Sequence, residues 1–134
     1  VLSRHAGAEL VLVDVGVAAE FPPDLPIRHA KVRKGTRNMR LQPAMSRSEA
    51  LQAISVGIAI GDELADKGIQ AIGLGEMGIG NTTASSAVAS VLLNKEPSVL
   101  TGAGAGISST ALSHKVEVIQ QAIQLHQPDR EDPL

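Results

Sequence analysis

QAIGLGEMGIGNTTASS, residues Gln70–Ser86, is the stretch around which the rest of the chain is arranged. Its apolar start, Ala71-Ile72-Gly73-Leu74, has the length and content of a buried strand in a parallel sheet. Glycines at 73, 75, 78 and 80 then give a turn. Asn81-Thr82-Thr83 and a run of small residues follow, with Asn81 or Thr82 as the expected cap of a helix to about Leu93. Strand, glycine loop and helix start together set bare backbone N–H groups and a positive helix end against an anion. A ligand phosphate is expected here.

A second loop of the same kind lies downstream. Val99-Leu100 leads into TGAGAG, residues Thr101–Gly106, and then into a helix capped by Ser108 or Ser109 and running to about His126. Leu112, Val116, Ile119 and Ile123 mark its buried stripe. Lys115, in the second turn, has a stem long enough to reach an anion at the helix start. The alternative is a lysine whose stem covers apolar surface while its head stays in water. Two glycine loops heading two helices, in a strand–helix alternation, predict an α/β domain with a mostly parallel sheet.

Upstream, Ala8–Val15 reads as a strand ending at Asp14 and Gly16. Asp14 is either a carboxylate on the ligand-binding edge of the sheet or a turn former. Phe21–Pro26 is a proline-stiffened loop. Ile27–Arg40, IRHAKVRKGTRNMR, carries Arg28, Lys31, Arg33, Lys34, Arg37 and Arg40 without an acid. Such a loop can draw in an anionic substrate; a solvated basic loop or a subunit contact is the favoured reading. Ser46-Arg47-Ser48-Glu49 is a capping box. Its helix is expected to end near Lys67 with Gly68 as the stop. Ala50, Ile54, Gly57, Ile58, Gly61 and Ala65 form an apolar face, and the two glycines predict a close approach by another element.

Composition narrows the classes. The 134 residues carry a net charge of −2, one aromatic residue (Phe21) and no cysteine. The core must therefore be aliphatic, and disulfides and thiol ligands are excluded. The charge does not favour nucleic acid, and the basic run lacks the stacking groups of a single-strand binder. No apolar run approaches the length of a membrane span, and no leading segment resembles a signal peptide. His5, His29, His114 and His126 are scattered, so no metal site is expected. The chain lacks an initiating Met and stops at Asp132-Pro133-Leu134, a helix-start pattern, so it is expected to be a piece of something longer.

The glycine loop does not fit the common nucleotide motifs. Gly75–Thr82 has the spacing G-x-x-x-x-G-x-T, but Asn81 replaces the lysine that neutralises transferred phosphates. Gly73–Gly78 fits G-x-G-x-x-G without the helix start and acidic residue a dinucleotide fold requires. Glu76 is the informative residue. A carboxylate in an anion loop must face another part of the ligand, such as a ribose hydroxyl or the positive charge of a ribosyl cation. The pattern fits a sugar-phosphate nucleotide whose glycosidic bond is being broken.

GEMGIGNTT (Gly75–Thr83), the TGxGxG loop and the Lys115 helix, with VDVGV (13–17), KVRKGTRNM (31–39) and PAMSRSEA (43–50), resemble the nicotinate-nucleotide–dimethylbenzimidazole phosphoribosyltransferase family over nearly the whole chain. The resemblance implies transfer of phosphoribose from nicotinate mononucleotide to dimethylbenzimidazole, with inversion at the anomeric carbon and no metal or other cofactor. It also implies a cytoplasmic homodimer with a Rossmann-like three-layer core, truncated here at both ends. On it, residues 1–134 are a nucleotide-binding core fragment. Glu76 is the catalytic match, and Gly78, Gly80, Asn81 and Thr82 match the mononucleotide site. Gly102, Gly104, Gly106 and Lys115 match the phosphate side.

Three departures qualify the resemblance. Ala103 and Ser108-Ser109 replace an arginine and an acidic pair common in the family. The family's general-base glutamate falls beyond Leu134, and a segment that helps form the base pocket falls before Val1. The fragment alone is therefore expected to lack transferase activity. The alternatives are a non-catalytic nucleotide-phosphate binding module and a structural piece whose glycines only permit packing.

Overall fold

The computed structural model describes residues 2–104 and 106–134. Its contacts divide into two units: one of residues up to Thr36 with Met45–Gln70, the other of Arg37–Ala44 with Ala71–Leu134.

The first unit holds α1 (Leu2–His5), β1 (Val13–Asp14), β2 (Arg28–His29) and α2 (Arg47–Asp66). β1 and β2 pair in parallel, Val13 opposite Arg28 and Asp14 opposite His29. Backbone bonds prolong the pairing, from Val32 N–H to Val15 O (2.9 Å) and from Gly35 N–H to Gly16 O (2.9 Å). Asp14 is buried, 2% exposed. Its Oδ1 accepts from the Gly16 and Val17 amides at 3.1 and 2.9 Å, while Lys31 Nζ lies 2.6 Å from Oδ2. Asp14 is therefore a turn former that anchors the loop after β1.

α2 begins as its sequence directs. Ser46 and Glu49 form both bonds of the capping box, and Lys67 is the C-cap with Gly68 in the left-handed region beyond it. The face buried is not the one expected. Ile54 and Ile58 are 48% and 59% exposed, and a Cβ added at Gly57 or Gly61 would meet nothing within 4 Å. Ion pairs lie on the other side: Arg28 grips Glu63 with both guanidinium ends, and Arg33 meets Glu49 at 3.2 Å. With Lys34 at 2.6 Å from Glu20, four cations of the basic run, Arg28, Lys31, Arg33 and Lys34, have acidic partners. Pairing within the first unit counts against an anion funnel, and it is neither the solvated loop nor the subunit contact expected.

The second unit packs α3 (Thr82–Leu92), α4 (Pro97–Leu100) and α5 (Ser109–His126) together. Ile119, of the stripe expected on α5, is fully buried, and Ala122, outside that expectation, is 4% exposed. Opposite them α3 presents small residues. Ser86 and Ser90 are buried, with hydroxyls donating to Leu100 O (3.2 Å) and Ser86 O (2.8 Å). Buried hydroxyls satisfied in this way avoid the cost of an unmade hydrogen bond. α5 ends as expected at His126, whose Nε2 meets Met39 O at 2.7 Å.

The strand expected over Ala8–Val15 is reduced to Val13–Asp14, and the one expected at Ala71–Leu74 fails. Ala71–Leu74 forms no strand, with Ile72 and Leu74 51% and 97% exposed. An apolar run becomes a strand only beside a neighbour that takes its N–H and C=O groups, and among the described residues no strand pairs with it. Val99-Leu100 belongs instead to α4, which Pro97 opens at its first position. Among the described residues the sheet is two-stranded and parallel. This matches an α/β class at its coarsest.

Candidate anion-binding site

The two glycine loops meet on one cleft of the second unit. The cleft, about 430 Å³, is lined by Gly78, Gly80, Thr82 and Lys115 together with apolar side chains, among them Ile79, Ile107 and Val118. The two loops are held together by Lys115. Its Nζ donates to Thr82 Oγ1 at 2.8 Å and to Gly102 O at 3.0 Å. An ammonium has three donors, so one remains for a ligand.

The head of α3 is open. Asn81 occupies the N-cap position, but its side chain makes no capping bond, and its buried Oδ1 has no hydrogen-bond partner. The first-turn amides of α3 thus keep the unsatisfied donors and partial positive charge of a helix N-terminus. α5 differs: Ser108 accepts from Ala111 N–H at 3.2 Å and closes that end itself. The expectation of two equal amide cups therefore resolves into one open helix head, at α3, and one cation from α5.

Glycine is needed at two places in this arrangement. Gly80 has φ +79°, which turns the loop into α3 at a backbone conformation costly for other residues. Gly104, at φ +58°, lies so close to α3 that an added Cβ would sit 3.0 Å from Thr82 Oγ1. Gly106, expected on the phosphate side, is exposed, and it, Gly102, Gly104 and Asn81 all fall outside the residues lining the cleft.

Glu76 is exposed, and its carboxylate accepts from the Gly78 amide in its own loop. It occupies a donor that a bound anion would compete for. Sequence reasoning brought out the loops and Lys115 but missed the apolar wall of Ile79, Ile107 and Val118, and also His114, which lines the cleft beside Lys115. The position of His114, next to Lys115 in the same helical turn, was the available signal. Among the described residues no group of three or more His, Asp or Glu side chains could hold a metal ion.

A phosphoribosyltransferase family model matches residues 1–134. Nicotinate-nucleotide–dimethylbenzimidazole phosphoribosyltransferase of Geotalea uraniireducens is 48% identical over 134 residues, all of this chain and 38% of that protein. The enzyme of the same name from Acetivibrio thermocellus is 46% identical over 132 residues, 98% of this chain and 37% of that protein. Among solved structures, CobT from Thermus thermophilus superposes with a TM-score of 0.85 at 32% identity, covering 95% of this chain and 38% of that one. The chain thus spans well under half the length of the relatives it matches.

Proposed function

This chain belongs to the nicotinate-nucleotide–dimethylbenzimidazole phosphoribosyltransferase family, and from that premise we propose that the intact protein moves phosphoribose from nicotinate mononucleotide to dimethylbenzimidazole. The products are nicotinate and α-ribazole phosphate, the latter for the lower ligand of cobalamin. The observation that carries the reading is the Lys115 ammonium tied to both Thr82 and Gly102. It fixes a cation where the open head of α3 already favours negative charge.

In this reading the nucleotide's phosphate sits between Lys115, Thr82 and the backbone of Gly78, Gly80 and Asn81. Gly102 and Gly104 hold the opposing loop in place. A phosphate oxygen competes for the Gly78 amide and releases Glu76 towards the ribose. The C1′–N bond to nicotinate breaks with its electron pair leaving on the pyridine nitrogen. Glu76 stabilises the positive charge that develops on the sugar. A benzimidazole nitrogen then bonds C1′ from the opposite face, and its N–H proton passes to a base. No metal or other cofactor enters this scheme. The same family reading gives the intact protein a Rossmann-like three-layer core, a homodimeric state and a cytoplasmic location.

The test is turnover of nicotinate mononucleotide with dimethylbenzimidazole by the intact protein. Formation of α-ribazole phosphate is expected. Glu76→Gln is expected to lower kcat by about 10²–10³-fold, the usual effect of removing one group that meets transition-state charge. Nucleotide binding without transfer would instead make the protein a binding module. The 134-residue chain alone is expected to show no turnover.

A further inference from the structure

We propose that His114 is a second side chain that recognises the anionic end of the ligand, and that it sets preference for a phosphorylated over an unphosphorylated nucleoside. The inference rests on the reading of the cleft as a ribonucleotide phosphate site.

Counting donors makes the case. A phosphate monoester presents three terminal oxygens, each able to accept more than one hydrogen bond. Lys115 has one donor left after Thr82 and Gly102. The open first-turn amides of α3, and the Gly78 amide once Glu76 is displaced from it, are backbone donors that carry no full charge. The lining of the cleft offers one further basic side chain, His114. The α5 residues lining the cleft, Ala111, His114, Lys115 and Val118, follow the three- and four-residue spacing of one helix face, so His114 and Lys115 share it.

One ring nitrogen has a neighbour on its own helix: His114 Nδ1 lies 3.7 Å from Glu117 Oε2, one turn along. Nε2 is the nitrogen left for the ligand, accepting from or donating to a phosphate oxygen according to the tautomer. The imidazole is 67% exposed, so replacing it leaves the packing of α5 on α3 intact.

The experiment compares binding of nicotinate mononucleotide and its dephosphorylated nucleoside to the intact protein, His114→Ala, His114→Gln, His114→Lys and Lys115→Ala. His114→Ala and His114→Gln are expected to weaken the mononucleotide by about tenfold, the scale of one hydrogen bond to a charged group, and to leave the nucleoside unchanged. His114→Lys is expected to restore most of the preference. Equal weakening of both ligands, or unchanged binding of both, overturns the proposal. Lys115→Ala separates the two levels. If it weakens the mononucleotide while His114→Ala does not, only the role of His114 falls. If Lys115→Ala changes nothing, the reading of the cleft itself falls.

Discussion

Lys115 Nζ lies 2.8 Å from Thr82 Oγ1, across a sequence separation of 33 residues. The contact gives the glycine loop before α3 the cation that Asn81, standing at the lysine position of a triphosphate loop, does not provide. Lys115→Met keeps the bulk of the stem and removes the charge. The loss of one charge-assisted hydrogen bond, about 1.5–3 kcal/mol, is expected to weaken nicotinate mononucleotide by about 10–100-fold. Isothermal titration of the intact protein reads this directly.

At Gly104 the second glycine loop comes close to Thr82 at the head of α3. Alanine there adopts a left-handed conformation at a cost of about 1–2 kcal/mol, and its Cβ presses on Thr82 Oγ1 from 3.0 Å. Gly102→Ala is the control, since its Cβ meets nothing within 4 Å and no left-handed φ is involved. Denaturant unfolding is expected to show the larger loss for Gly104→Ala, accompanied by weaker nucleotide binding. Equal losses would contradict the close approach.

Acid should weaken the first unit through Glu63. Its hydrogen bonds to Arg28 and Lys67 outweigh burial and hold its carboxyl down to about 2, from an ordinary 4.5. A carboxylate depressed on folding contributes stability above its ordinary value and loses it as pH falls towards the folded value. The loss should run from about 4.5 to about 2. Burial pushes the Asp14 carboxyl up, but Lys31 and the Val17 and Gly16 amides lower it further, so Asp14 adds to the same acid limb. Glu63→Gln is expected to flatten stability against pH in that window, measured by unfolding from about pH 2 to about pH 5. An unchanged slope would deny the pairing an energetic role.

The features legible in the sequence are those set within one turn of the chain. The Ser46–Glu49 box, the Gly68 stop and the Ser108 cap need only neighbours three or four residues away. The Leu112–Ile123 stripe is legible because its period is the helix's own. Features that depend on distant partners were not legible. Ala71–Leu74 has strand composition but no strand beside it among the described residues. The basic run was visible, whereas its pairing with Asp14, Glu20, Glu49 and Glu63 was not. Nor was the exposure of Ile54 and Ile58 on α2, which runs against their periodicity. At the site, Lys115 was expected to serve the head of its own helix, yet its Nζ reaches Thr82 at the head of α3. Helix-to-helix placement decides that, and no local pattern encodes it.

One cleft, built from both glycine loops and bridged by Lys115, is thus assigned to the phosphate end of a ribonucleotide. The most direct test is a titration of the intact protein with nicotinate mononucleotide, following amide resonances of Gly78–Thr83 and Gly102–Gly106. Both sets are expected to move together along one binding curve, and Lys115→Met is expected to weaken that curve for both. Shifts confined to one loop, or found only elsewhere in the protein, would contradict the assignment.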